Sequence, residues 1–362
     1  MMPITASTLG FVLALACAAL VGFAAHRASL CNVRAVAEVM SGGTAHMLGS
    51  LMQAALWMAL LTGGLSLLAG YPPPKVRMFV PVAWSFMGGW LFGVGAALNG
   101  GCSLSTLHRL ADGELGMLAT LLGFGLGVVL WALGAAGLRT NGSMLGQGDL
   151  RPLPNLWTRW PALSSWILLA LALWALSRVA ALLRLARTTT PASIHQRFMA
   201  PRYHLTVSAA LMGLAGGVLY ATQGAWSYTN HLRTSVLHAW SGGQAPAITH
   251  STLVVALLVG MVISAAQRGS VAWRRPPNAA SWLRHIGGGA LMGAGAAMVP
   301  GGNDTLLLNA LPTLALPAIG TYLAMLGGIT TVLWLMRRAR MPMPATHCTE
   351  AGCTEVRTPD AR

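Results

Sequence analysis

The chain has 362 residues, 55% of them hydrophobic and only 9% charged. A soluble domain carries about 25% charged residues, so a water-soluble globular protein is excluded and a polytopic all-α membrane protein, with the lipid bilayer as its solvent, is indicated. The net charge of +15, from 23 basic and 8 acidic residues, lies mostly in stretches between apolar runs, where it sets orientation, and this distribution excludes nucleic acid as a partner.

In chain order the apolar pattern predicts nine long spans, near 8–25, 47–69, 79–98, 115–138, 162–185, 205–221, 249–266, 284–299 and 315–336. The first run has no Lys or Arg before it, so it reads as a retained span and not as a cleaved signal peptide. Four short apolar segments fall between the spans, near 28–40, 103–110, 226–240 and 303–311. They are too short or too polar to cross, and suit re-entrant half-helices buried in protein.

The order long, short, long, long, short, long occurs twice, with 162–185 as the connector. An odd number of crossings separates the two copies, which predicts an inverted-topology repeat. Residues 1–140 form the expected first repeat. Residues 141–203 form an external loop (139–161), the connecting span and a cytoplasmic loop (186–203). Residues 204–336 form the second repeat, and 337–362 a mobile cytoplasmic tail. Lys and Arg crowd the side opposite the N-terminus, which predicts a bacterial inner-membrane protein with its N-terminus outside and its C-terminus in the cytoplasm.

The sharpest signal is a repeated helix break. Gly88–Cys102 (GGWLFGVGAALNGGC) aligns without gaps on Gly288–Gly302 (GGALMGAGAAMVPGG), with eight of fifteen positions identical. Matching Gly/Pro interruptions in two halves of a membrane protein point to a substrate site. The first break, Asn99-Gly100-Gly101-Cys102-Ser103, opens a half-helix whose free N–H groups and dipole favour an anion. The second is Pro300-Gly301-Gly302-Asn303-Asp304. There Asn303 or Asp304 suits an N-cap, and Asp304 is either that cap or a proton-carrying carboxylate.

Cys31 follows another interruption. A thiol is soft and weakly polar, and suits a sulfur-containing anion better than phosphate or chloride. Arg27 and Arg34 either attract the anion or anchor the helix at the interface. Cys17 reads as a small buried apolar residue, and Cys348 and Cys353 as incidental to any site, because their spacing fits neither a zinc site nor a disulfide framework. No metal or cofactor is expected, and no G-x-x-x-x-G-K-[ST] element marks an ATPase.

The Gly-Phe-x-x-x-Arg-x-x-x-Cys element at Gly22–Cys31, the Gly-Gly-Cys break at 100–102 and the Pro-Gly-Gly-Asn-Asp break at 300–304 resemble the YeeE/YedE sulphur-transport family. The resemblance spans nearly the whole chain to about 336. It implies a narrow-waisted permease that passes thiosulfate along a path of three cysteines. Cys31 and Cys102 match two of these, and the third falls at Gly302. Backbone N–H groups of Gly301, Gly302 and Asn303 are candidates to replace it. The resemblance also implies a small cytoplasmic sulfur-carrier protein as a partner. Other sulfur or selenium species as cargo, or a membrane sulfur-relay enzyme or docking subunit, remain alternatives.

Overall fold

The structure, a computed structural model, describes residues 8–71, 77–79, 82–138, 150–152, 156–188, 200, 202–242, 245–341, 343, 346–349 and 352–355. The first half contains α1 (Thr8–Arg27), the short α2 (Asn32–Gly42), α3 (His46–Ala69), α4 (Ala83–Asn99), the short α5 (Ser103–Ala111) and α6 (Gly116–Leu138). A one-turn α7 (Leu156–Arg159) leads into the connector α8 (Pro161–Thr188). The second half contains α9 (Leu205–Gln223), the short α10 (Tyr228–Ser241), α11 (Ile248–Arg268), α12 (Ala279–Met298), the short α13 (Asn303–Thr305) and α14 (Leu316–Arg338).

The fourth short segment is not a plain α-helix. After α13 it continues as a π turn, Leu306–Ala310, and a 3₁₀ turn, Leu311–Thr313. Pro312 has no N–H to give and stops regular α geometry there.

Among the described residues seven helices are long and apolar enough to cross a membrane by length and composition, with α1 and α2 counted as one run. The helices α4 and α12, also expected to cross, are not among them. The first has 17 residues, and the second is diluted by glycines, Arg284 and His285. The sequence places the start of α12 at 284. It begins at Ala279 because the Asn278 side chain caps it, accepting from the Ser281 N–H at 2.9 Å.

Helix α1 packs on α11, and α9 packs on α3. Helix α12 packs on α6, α14 packs on α4, and α4 crosses α12. The crossing is possible because both helices present glycine. A Cβ on Gly95 would stand 2.6 Å from the Gly288 carbonyl oxygen, and one on Gly295 would stand 2.5 Å from the Gly88 oxygen. Only glycine lets two backbones approach so closely.

Outward faces of α6 and α8 carry exposed Leu122, Leu126, Leu130, Trp166, Leu169, Leu173 and Leu176. Apolar exposure on this scale suits hydrocarbon and not water.

Buried Glu38 on α2 ties the short helix to the next long one. Its carboxylate accepts from the His46 and Met47 N–H groups, both at 2.9 Å, and from the Thr44 hydroxyl at 2.8 Å. The Glu38 oxygens thus meet the free N–H groups at the positive N-terminus of α3.

Some expectations change outside the helical core. Strand β1 (Arg77–Phe79) pairs antiparallel with β2 (Leu150–Pro152), inside the segment read as loop. Trp157 of α7 is buried and donates from Nε1 to the Pro312 carbonyl at 2.9 Å. The tail is not simply a polar extension: β3 (Thr346–Thr349) and β4 (Gly352–Glu355) form a hairpin closed by a Cys348–Cys353 disulfide. Those two cysteines read as incidental because a five-residue separation is not a disulfide signature. Register-paired hairpin residues, however, bring two sulfurs together regardless of such signatures. Strand β3 packs on α2 and α3, so this part of the tail is docked. The expected external loop residues 139–149 and 153–155, cytoplasmic loop residues 189–199 and tail residues 356–362 lie outside the described residues.

Candidate functional site

Two thiols meet where the first half breaks. Cys31 is the N-cap of α2 and Cys102 the N-cap of α5, both in extended backbone and both about 1% exposed. Gly100 ends α4 at φ +76°, a conformation that favours glycine. The Gly100 and Gly101 N–H groups turn back to the Ala97 and Ala96 carbonyls. This reversal sets the Cys102 thiol beside the Cys31 thiol, in hydrogen-bond contact. Backbone N–H groups of Cys102 and Arg34 point at the Cys31 sulfur, and those of Asn32 and Ser105 at the Cys102 sulfur. Both sulfurs therefore sit in the positive field of a helix N-terminus.

Two further polar atoms at this place have no partner. Asn32 Nδ2 and Ser105 Oγ are buried and unpaired. The Tyr322 hydroxyl donates to Asn32 Oδ1 at 2.7 Å, which fixes the amide with its NH₂ left over. Leaving a buried donor unmet costs roughly 1–3 kcal/mol, so such atoms cluster where something else binds.

The second half meets the first through Ser103, whose hydroxyl donates to Asn303 Oδ1. Tyr228, at the start of α10, is also a hydrogen-bond neighbour of Ser103. Beyond that contact the second half is closed on itself. Asp304 Oδ2 accepts from the Thr229 N–H at 3.2 Å, and its Oδ1 from the Thr229 hydroxyl. Asp304 thus caps the facing helix α10, and its carboxylate also accepts from the Asp304 and Thr305 N–H groups of its own helix.

The Gly302 N–H goes to Thr229 Oγ1 at 2.8 Å, and the Gly301 N–H to the Ala296 carbonyl at 2.9 Å. These two of the three candidate donors, Gly301, Gly302 and Asn303, are consumed within the protein. Nor is there room for the absent third thiol. A Cβ at Gly302 would lie 2.8 Å from Phe92 and 2.9 Å from Thr229 Cγ2.

Asn99 is buried, and its amide is used inside the protein. Its Nδ2 donates to the Gly101 carbonyl at 3.0 Å and to Thr106 at 3.2 Å. Its Oδ1 accepts from the Thr120 hydroxyl at 2.7 Å and lies 2.8 Å from His285 Nδ1. Asn99 therefore shapes the break and does not face the thiols with a free group.

Arg27 is spent on packing. It donates to the Ala200 carbonyl and Gln267 Oε1 and lies over the Phe23 and Tyr203 rings. Cys17 is buried in α1, as expected. Asn32, Ser105, Tyr228 and Tyr322 were missed by sequence reasoning. The signal available for the first two was adjacency, since each lies within three residues of a cysteine that caps a half-helix. Among the described residues no His, Cys, Asp or Glu group could hold a metal ion.

At the end of α5, Asp112 stands outside the spans. Burial pushes its carboxyl up, but hydrogen bonds from His26 and Ser270 outweigh that and hold it below the usual carboxylate range.

Seven apolar crossing helices and a thiol-bearing polar site between broken helices define a multi-pass membrane protein of the transporter class. The chain belongs to the family described as Sulphur transport, which matches residues 27–331, so its function is transport and not enzymatic conversion. It is 27% identical over 288 residues to the thiosulfate transporter TsuA of Escherichia coli K12, covering 74% of this chain and 80% of that protein. It is 26% identical over 275 residues to the thiosulfate transporter TsuA of Spirochaeta thermophila, covering 70% of this chain and 78% of that protein.

Proposed function

We propose that the chain is an inner-membrane permease that takes up thiosulfate through a central path at Cys31 and Cys102. The observation that carries this reading is the thiol pair itself. Two soft sulfurs share one buried place with the unpaired Asn32 Nδ2 and Ser105 Oγ. Thiosulfate has a soft terminal sulfur and three hard oxygens. The thiols suit the first and the N–H and O–H donors suit the second. The relatives named for thiosulfate transport support the cargo.

In this reading the protein is an inverted repeat, with nine long helices crossing and four short segments entering from either side. The support is reciprocal packing: α1 on α11 answers α9 on α3, and α12 on α6 answers α14 on α4. Helices α4 and α12 cross although neither is a long apolar span, because protein and not lipid covers much of them. The N-terminus lies outside and the tail in the cytoplasm, where a small sulfur-carrier protein would receive the cargo.

The two halves differ in role. The first half carries the binding groups. The second half, tied by Asp304 to Thr229 and reaching over through Asn303 to Ser103, holds the frame.

Proteoliposomes given labelled thiosulfate, sulfite and sulfate in parallel test the proposal. Thiosulfate is expected to enter fastest, and Cys102→Ala to cut its uptake at least ~10-fold, corresponding to about 1.4 kcal/mol of lost binding or transition-state stabilisation. Unchanged uptake by a folded Cys102→Ala protein would remove the thiol from the path.

A further inference from the structure

Away from the thiols, the buried side of the molecule holds a second polar group that thiosulfate binding does not use. His108 lies on α5, six residues beyond Cys102, and is 3% exposed with Nε2 unpaired. His26 lies on α1, five residues before Cys31, and is fully buried. Their rings meet edge to face with centroids 5.9 Å apart. His26 Nε2 contacts Asp112 Oδ1 at 3.0 Å, and its Nδ1 lies 2.9 Å from the Ser264 hydroxyl of α11. The Asp112 side chain is 19% exposed and accepts from Ser270.

The remaining charged neighbours are few. Arg34 of α2 and Arg109 of α5 face His108 along with His26 and Asp112. Arg268 of α11 donates to the His26 carbonyl at 3.1 Å. A cluster of titratable groups thus extends from Arg34, which also faces Cys31, to the partly exposed Asp112. Helix packing alone needs no such cluster, since buried ionisable groups in a membrane protein are costly and mark ion or proton paths.

We infer that His108, His26 and Asp112 form a proton-binding relay that couples anion passage to proton entry. The inference rests on the thiosulfate reading. Thiosulfate carries two negative charges, and each must move uphill against an inside-negative potential unless a cation travels with it. Imidazole is the side chain suited to gaining and losing a proton near neutral pH. A proton arriving with the anion binds Nε2 of His108, where it offsets part of the anion charge. The Asp112 carboxylate, held in place by His26, favours the proton there. When the anion departs the same N–H bond breaks and the proton passes to water, so one N–H bond forms and one breaks and no electrons move.

The test uses the full chain in proteoliposomes at clamped membrane potential, with labelled thiosulfate outside and a pH dye inside. Two measurements are made: net uptake under an acid-outside gradient, and exchange of label against internal unlabelled thiosulfate with no gradient. For the wild type, accumulation should rise up to about tenfold per pH unit for each proton coupled, and the lumen should acidify when thiosulfate is added. His108→Gln should exchange label yet lose both the gradient response and the acidification. Asp112→Asn, at the partly exposed end, should slow acidification. Wild-type exchange without any gradient response or acidification would overturn the relay alone. So would full coupling in both variants. No exchange of labelled thiosulfate by the wild type would overturn the cargo reading and the relay with it.

Discussion

At the scale of single residues, the difference between the two helix breaks decides what each can do. Cys102 and Gly302 occupy equivalent positions in the repeated stretch, yet their surroundings are opposite. Around Cys102, Asn32 Nδ2 and Ser105 Oγ are buried without partners. Around Gly302, Thr229 takes the N–H and Phe92 fills the space. Truncating an unpaired donor removes a group that only a bound anion could satisfy. Ser105→Ala should therefore leave thermal stability in detergent nearly unchanged while weakening thiosulfate uptake by roughly 10-fold to 100-fold in kcat/KM. Asn32→Ala should weaken uptake similarly but also cost about 1–3 kcal/mol, because it strands the Tyr322 hydroxyl. A loss of stability in Ser105→Ala would mean that this hydroxyl serves the fold. Cys102, the glycines, Ser103 and Asp304 stand out in the sequence because a 200-residue repeat marks the breaks that hold them, and Cys31 because it follows another interruption. The partners that consume them do not. Thr229 and Phe92 come from segments distant in the chain, and nothing in local spacing says which hydroxyl or ring will face a given glycine.

At the scale of elements, helix order, the four short segments and most boundaries were legible to within a few residues, because apolar length and glycine breaks fix them directly. The misread features depend on other physics. Asn278 extends α12 by a side-chain cap, Pro312 turns the last short segment into 3₁₀ geometry, and the tail hairpin is held by cysteines with no recognisable spacing. The crossing of α4 and α12 depends on bare glycine contact. Neighbouring glycines on α12 provide the control. A Cβ on Gly288 would stand 2.8 Å from the Asn99 nitrogen, whereas one on Gly287 would meet nothing within 4 Å. Gly288→Leu should cost about 3 kcal/mol or more by forcing the backbones apart, and abolish a monodisperse detergent peak. Gly287→Leu should elute and melt like the wild type.

At the scale of the whole molecule, orientation joins two observations that pull apart. The excess of Lys and Arg near one set of span ends favours the proposed orientation, with the tail in the cytoplasm. The Cys348–Cys353 disulfide belongs to oxidising compartments and would be kept open as a dithiol in the cytosol. The charge bias draws on many residues and the disulfide on two, so the proposed orientation keeps the tail in the cytoplasm. A membrane-impermeant maleimide should then label the tail thiols in inverted vesicles but not in intact spheroplasts. Labelling in spheroplasts after mild reduction would reverse the assignment. The bare backbone contact between α4 and α12 also bears on how the chain is completed during synthesis. Until α12 emerges, α4 carries an uncovered stripe of peptide groups that no part of the first half can shield. The nascent first half must therefore wait, half-clothed, for its counterpart, and supplying the two halves as separate polypeptides in one membrane would ask them to find each other as split parts of one machine.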